Sequence, residues 1–161
     1  MKELIKIMDK LETIISFDGK YAFLSNFFYA PFVYEDNIYP TNEHFFQAMK
    51  TLDLEERRKI AEAKTPGAAK CMGRKVQLRE DWESVKLNVM RLGLSLKFHA
   101  HMHLIEKLIE TGDADLIEGN TWHDNTWGIC LCSKCQGKGQ NHLGRLLMET
   151  RERFKEEIEH E

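Results

Sequence analysis

The sequence predicts an α+β fold, mostly helical, with a small set of short strands in a single domain over residues 1–161. Three observations predict it. Capped, periodic helical stretches follow one another from residue 41 to the C-terminus. The β-like runs are short and crowd mostly into residues 13–41. They are too few for a doubly wound parallel sheet. With 42% hydrophobic and 30% charged residues, and three Trp, four Tyr and nine Phe, disorder is excluded as the dominant state.

In chain order, Leu4, Ile5, Met8 and Leu11 fall on one side of a short helix over residues 1–12. Residues 13–17 are a β-rich run ended by an Asp18-Gly19 turn. Residues 21–41 are dense in aromatics and broken by Pro31 and Pro40. That pattern predicts short strands and loops, with a hairpin reversing at Glu35-Asp36-Asn37. Pro40 and Thr41 set up a helix over about 42–51, capped by Thr41 or Asn42. A second helix spans 54–63. Thr65 caps a third, with Pro66 in its first turn, where a missing N–H costs nothing. Over about 84–98, Val85, Val89, Leu92 and Leu96 trace the stripe of a buried face. A helix over 100–111 stops at Gly112, and 116–119 reads as a short strand. Residues 120–140 form a long loop rich in Trp, Cys and Gly, a length that is usually functional. The last helix covers about 141–159, with Leu143, Leu147, Thr150, Phe154 and Ile158 facing inward.

The net charge of −3 excludes general, backbone-driven nucleic-acid binding, which needs many phosphate-neutralising cations. No run reaches the roughly 18 apolar residues of a membrane span. Residues 1–15 alternate charged and apolar types and lack a signal peptide's apolar centre, so the expected location is the cytoplasm, away from any membrane. Four cysteines fit that compartment as reduced thiols or metal ligands.

Five constellations could carry chemistry. Glu43, Gln47 and Lys50 lie at i, i+4 and i+7, so one helix face presents a carboxylate, an amide and an amine. They suit a polar pocket or a solvated helix face. Asn26, between Ser25 and Phe27, suits either a base-binding loop or a turn flanked by core aromatics. Residues 119–128 place Trp122 and Trp127 around Asp124: indoles that can stack on a planar base, and an acid that can stabilise a cation, or else a packed loop with an Asx turn. His123 there can titrate near neutrality. In 137–145, glycines before a helix, with Lys138, Asn141 and Arg145, suit a phosphate at a helix N-terminus or a plain helix start capped by Asn141. Cys130, Cys132 and Cys135 could bind zinc with His142, His123 or Cys71 as fourth ligand, or stand as free thiols in a turn. His99, His101 and His103 share no face and read as surface or packing residues.

Taken together, these segments resemble the NADAR (YbiA-like) family. The pieces are F-x3-Y-x-F-L-S-N-F over 17–27, Pro31-Phe32, Tyr39-Pro40-Thr41-x-Glu43-His44-x2-Gln47-Ala48-x-Lys50, Arg79-x2-Trp82-x3-Lys86, Trp127-Gly128, and Asn141-x-Leu143-Gly144-x2-Leu147-Met148-x2-Arg151. They span nearly the whole chain in order. The Cys-bearing insert between Gly128 and Asn141 lies outside that pattern.

The resemblance implies an N-glycosidase that hydrolyses the C1–N bond between ribose and a nucleobase-like group. Its substrate classes would be ribosylamino-pyrimidine phosphates of riboflavin synthesis, or ADP-ribose attached to guanine. The partner would then be a small ribosyl or ADP-ribosyl molecule, or ADP-ribosylated nucleic acid. No cofactor is required; a structural zinc at the cysteines is compatible. Breaking a C1–N bond builds oxocarbenium character, which a nearby carboxylate stabilises while a base activates water. Glu43 is the first choice, with Asp124 as second carboxylate. Trp82, Trp122 or Trp127 would stack on the leaving base, and Asn26 would hydrogen-bond it. Phe27, Gln47, Asn141 and Arg145 complete the expected substrate contacts. Lys50 would contact phosphate or act as a nucleophile forming a Schiff base, which requires a depressed amine pKa. The alternative from a different class is a non-catalytic ADP-ribose or nucleotide-binding module.

Overall fold

Helices carry most of the regular structure, and among the described residues the strands pair two by two. A computed structural model describes residues 12–160. The helix expected over 1–12 falls, but for Glu12, outside them. The chain divides into two compact units: one holds the residues up to Ser25 and those from His103 onward, the other Asn26–Met102. Among the described residues, no helix is long and apolar enough to cross a membrane.

In the 26–102 unit, β2 (Phe32–Tyr34) pairs antiparallel with β3 (Asn37–Tyr39), Phe32 opposite Tyr39. The hairpin reverses where expected, with Glu35 in the left-handed region at φ 51. Its inner rings meet α1 (Asn42–Ala48): Phe45 lies edge-on to Phe32, Tyr34 and Tyr39 at centroid distances of 5.5, 5.3 and 5.4 Å. Such edge-to-face pairs add to the burial of each ring. Thr41 is the N-cap, its Oγ1 accepting the His44 backbone N–H at 3.2 Å. A cap of this kind is worth about 1 kcal/mol. Every residue of α1 is buried, polar ones included, so this short helix is an axle around which its neighbours pack.

Those neighbours are α2 (Leu54–Ala61), α3 (Pro66–Gly73) and α4 (Trp82–His99). Asp53 caps α2 and Thr65 caps α3, with Pro66 in the first turn as the spacing predicts. The face of α4 is not the expected one. Met90, Gly93, Leu94, Lys97 and Phe98 are buried, whereas Leu92 is exposed and Val85, Val89 and Leu96 are half-buried. Gly93 explains the rotation. A Cβ there would meet Asn42 Oδ1 at 2.1 Å and Phe45 Cδ1 at 2.8 Å, so α1 docks against the one position of α4 that has no side chain.

In the other unit, β1 (Thr13–Ile14) pairs parallel with β4 (Asp115–Leu116), and β5 (Gly119–Asn120) parallel with β6 (Ile129–Cys130). A 3-10 helix covers Gly19–Leu24. α5 (Met102–Glu110) buries Leu104, Ile105 and Leu108 and ends before Gly112 at φ 61. α6 (His142–Glu159) buries Leu143, Leu147, Thr150 and Phe154 as expected. Ile158 is 58% exposed, because the buried face stops one turn earlier. Arg151 is buried too: its Nη1 donates to Thr111 Oγ1 at 2.8 Å and to the Ala114 carbonyl at 3.0 Å. The loop over 120–140 is more ordered than its composition predicts. It contains β6, and Cys130 bridges Lys138 antiparallel.

Candidate functional site

In the 26–102 unit, Glu43 and Gln47 share a face of α1, but the helix ends at Ala48 with Met49 as its C-cap, so Lys50, expected on the same helix, lies beyond it. Glu43 is only 6% exposed, and Gln47, one turn on, donates from Nε2 to Glu43 Oε1 at 2.7 Å. Gln47 Oε1 is buried against Gly73, where a Cβ would lie 2.1 Å from it, and it accepts no hydrogen bond. The amide therefore fixes the carboxylate. Leaving its own oxygen unpaired costs about 1–3 kcal/mol, a cost kept for position rather than stability. Glu43 is anchored through its backbone as well, its N–H donating to the Asn26 carbonyl at 3.0 Å. The Asn26 side chain is occupied within the protein: Oδ1 accepts from Asn42 Nδ2 at 2.8 Å, and Nδ2 approaches Met90 sulfur at 3.5 Å.

Lys50 follows directly after the C-cap. Burial pushes its amine below the ordinary lysine range, Lys70 and Arg74 of α3 push it further, and Glu43 opposes them. A carboxylate and three cations thus share one neighbourhood. Phe27 borders it, 46% exposed, with Lys70 Nζ 6.0 Å from its ring centre. Lys70 and Arg74 were not singled out in the sequence. Their only signal is the i, i+4 spacing that flanks Gly73, and its meaning depends on α3 packing against α1.

His44, beside Glu43, is structural. Its Nε2 lies 3.0 Å from the Ala63 carbonyl, which can only accept, so Nε2 carries the hydrogen and Nδ1 accepts from Thr41 Oγ1 at 2.8 Å. Burial lowers its pKa and keeps it neutral. Trp82 is 5% exposed and packs on Phe46 with centroids 5.1 Å apart, so it is a core residue and not the base-stacking platform expected. A second amine went unread: Lys97 is fully buried, between the Phe28 and Phe98 rings at 5.8 and 5.5 Å, and desolvation alone pushes its pKa down to about 7.

The candidates of the 119–145 segment belong to the other unit, where most of them hold backbone. Asp124 Oδ1 accepts the N–H groups of Thr126 at 3.1 Å and Trp127 at 2.9 Å, an Asx turn. Asn141 is the N-cap residue of α6, but its side chain makes no capping bond. At φ 51, its Oδ1 accepts the Glu118 N–H and its Nδ2 donates to the Leu116 carbonyl, which ties the start of α6 to the β4–β5 connection. Nor is the N-terminus of α6 an open anion site. The N–H groups of Gln140, Asn141, His142 and Leu143 already donate to the carbonyls of Asn125, Gly128, Thr126 and Trp127. Trp127 packs edge-on against His142 at 6.0 Å, while Trp122, 65% exposed, and Arg145 face solvent.

The cysteines do converge. Sγ of Cys130, Cys132 and Cys135 and one ring nitrogen of His123 lie within 4.8 Å of one another, a cluster that could hold a metal ion. Of the three possible fourth ligands, His123 is the one present. Cys71 is exposed on α3 in the other unit, and His142 packs on Trp127. The Cys135 backbone N–H, donating to Cys132 Sγ, and the Cys130 side chain pull the Cys132 thiol down to about 6.

Comparison with known proteins matches the chain to named relatives. A family model described as the NADAR domain matches residues 16–155. The chain is similar to N-glycosidase YbiA of Shigella flexneri serotype 5b, 43% identical over 148 residues and 89% of either protein. It is also similar to a riboflavin biosynthesis protein of Vibrio vulnificus, 33% identical over 86% of this chain and 37% of that protein. The NMR structure of the Escherichia coli protein YbiA matches with a TM-score of 0.78 at 41% identity, covering 91% of this chain and 88% of that one. The motif series from Phe17 to Arg151, the helical α+β fold and these likenesses agree: the chain belongs to the NADAR domain family.

Proposed function

We propose that this protein is an N-glycosidase acting on the C1–N bond between a ribose, as ribose phosphate or within ADP-ribose, and a nucleobase-like group. One observation carries the reading: a buried carboxylate, Glu43, is held by Gln47 beside a half-buried amine, Lys50, with Lys70 and Arg74 close by. Cleavage places positive charge on C1 and O4′ of the ribose, and a fixed anion lowers the energy of that state. The same carboxylate can take the proton of an attacking water. The cations supply what a phosphorylated sugar needs at its other end. Phe27, exposed at the border, offers a ring face to the departing heterocycle.

Lys50 has two roles open to it, phosphate contact and nucleophile. Its lowered pKa supports the second, because a larger share of free amine is present near neutrality. In that route the amine bonds to C1 as the C1–N bond to the heterocycle breaks, and the heterocycle leaves with one amine proton. The C1–O4′ bond then opens, O4′ takes the second amine proton and an imine forms. Water hydrolyses that imine to return the sugar and the free lysine. The names of the relatives support a small ribosyl substrate, and a ribosylamino-pyrimidine phosphate is the first choice. ADP-ribosylated guanine is the second.

The test offers purified protein both substrates and follows release of the free pyrimidine with ribose 5-phosphate, or of unmodified guanine in nucleic acid. Turnover of the pyrimidine phosphate is expected. Thermal stabilisation by ADP-ribose with no product from either substrate would replace the enzyme reading with a binding module. Borohydride added during turnover traps a sugar on Lys50 if the amine is the nucleophile.

A further inference from the structure

We propose that His123, Cys130, Cys132 and Cys135 hold one structural zinc ion, a closed tetrahedral site that stitches together the loop between β5 and α6. The inference stands apart from the proposed glycosidase activity. It rests first on distances. His123 Nδ1 lies 3.4 Å from Cys132 Sγ, 3.4 Å from Cys135 Sγ and 3.8 Å from Cys130 Sγ. A zinc ion with Zn–S bonds of about 2.3 Å and a Zn–N bond of about 2.0 Å sets donor-to-donor edges of roughly 3.5–3.8 Å. All four atoms lie within 4.8 Å of one another, and the three sulfurs are separate thiols. The spacing fits a shared ion better than a chance crowding of side chains.

The donor set chooses the metal. Three thiolates and an imidazole exclude calcium and magnesium, which take oxygen ligands. Four protein ligands leave no open position, the mark of a structural rather than a catalytic zinc. The three cysteines bind as thiolates, and any proton still held on a sulfur is released to solvent on binding. His123 coordinates through Nδ1 as neutral imidazole with its hydrogen on Nε2.

The surrounding chain orients the ligands. The Cys135 N–H donates to Cys132 Sγ at 3.4 Å, and the Gln136 N–H to the Cys132 carbonyl at 2.9 Å, a turn that aims both sulfurs at one point. Asn125 donates from Nδ2 to Cys135 Sγ at 3.4 Å and accepts the Cys130 N–H at 3.3 Å, as an outer partner does around a metal ligand. His123 at φ 68 and Gln136 at φ 53 sit in the left-handed region, uncommon for residues other than glycine and more so for Gln136 than for His123. Metal–ligand bonds would offset the cost of holding them there. The four ligands are not among the NADAR motif residues, and three of them sit in the insert between Gly128 and Asn141, so the zinc would be an addition to the motif pattern.

The experiment is elemental analysis of the full chain purified without added metal. We expect one zinc per chain, released when an organomercurial caps the thiols and detected with a chromophoric chelator. Cys71→Ser should keep the zinc, and the Cys132→Ser, Cys135→Ser double variant should lose it. If the double variant fails to fold, cobalt exchanged into the wild-type chain decides: thiolate-to-cobalt charge transfer with intense visible d–d bands is the expected tetrahedral signature. Chelation should also lower the melting temperature of the wild type. The proposal is overturned by metal-free protein that takes up no cobalt, by bound iron, by zinc retained in the double variant, or by a disulfide among these cysteines after reducing purification.

Discussion

The face of α1 in the 26–102 unit and the loop between β5 and α6 in the other unit are equally rich in polar side chains, yet they spend them differently. In the loop, Asp124 and Asn141 satisfy backbone N–H and carbonyl groups, as does Asn120, whose side chain clasps the main chain of Asp124 at both ends. On α1, Gln47 holds another side chain, Glu43, and keeps its own oxygen unpaired to do so. The loop's polar groups do the work that secondary structure does elsewhere. Those of α1 hold a charge in place at a cost to stability, which is how catalytic and ligand-binding groups are recognised.

The sharpest way to break this contrast is Glu43→Gln. The substitution keeps size and burial and removes the anion. Turnover should fall at least about 100-fold, the usual worth of a positioned acid or base. The melting temperature should hold or rise, since a buried charge is removed. An unchanged rate would make the α1 face scaffold, like the loop.

The second test uses Lys97, buried in the same unit. Its pKa is pushed down to about 7 by desolvation, from an ordinary value of 10.5. Between those values the unfolded chain keeps the proton that the folded chain has lost, so stability rises with pH through this window. Below it the folded chain holds the charged amine in a desolvated setting, at a cost to stability. Urea unfolding at pH 7, 8 and 9 should show wild type gaining on Lys97→Met by up to about 1 kcal/mol per pH unit. A constant gap would mean that Lys97 stays charged in the fold.

Much of this contrast was legible in the sequence, and what was not has a common cause. Local chemistry placed Thr41, Thr65-Pro66, the reversal at Glu35-Asp36 and the stop at Gly112, because caps and turns depend on neighbours in the chain. The i, i+4 spacing brought Glu43 and Gln47 to one face for the same reason, whereas Lys50 reaches their neighbourhood from just past the C-cap at Met49. The buried stripe of α4 was misplaced because Gly93 and Lys97 look unlike core, and only the approach of Asn42 and Phe45 makes them so. Lys70 and Arg74 are silent until Gly73 lets Gln47 against α3. The three cysteines announced themselves, but choosing His123 over His142 and Cys71 required the closed loop. Trp82 shows the limit from the other side: a large aromatic in a motif reads as a stacking surface, while its ring is spent on Phe46.

Asn141→Ala probes the loop by removing two backbone partners at once. The Glu118 N–H and the Leu116 carbonyl would be left unmatched near the start of α6. A loss of about 1–3 kcal/mol in unfolding free energy is expected, read from urea denaturation. Alanine also tolerates the left-handed φ of 51 less well than asparagine, which adds to the loss. Asn141→Gly isolates that backbone contribution: it should recover part of the stability lost in the alanine variant, but not the part due to hydrogen bonds.

The smallest effect, and the one that sharpens the contrast most, is Asp124→Asn. A carboxylate that stabilises a cation or moves a proton cannot be replaced by an amide. One that accepts the Thr126 and Trp127 N–H groups can be, because the asparagine Oδ1 accepts the same two bonds. The turnover of Asp124→Asn should therefore stay within about tenfold of wild type, well short of the loss expected for Glu43→Gln. Asp124→Ala removes the acceptor itself and should cost about 1 kcal/mol of stability, the worth of a comparable capping bond. If asparagine costs as much turnover as alanine while the fold remains stable, the charge of Asp124 matters in its own right. The loop would then share the chemistry that is placed here on α1.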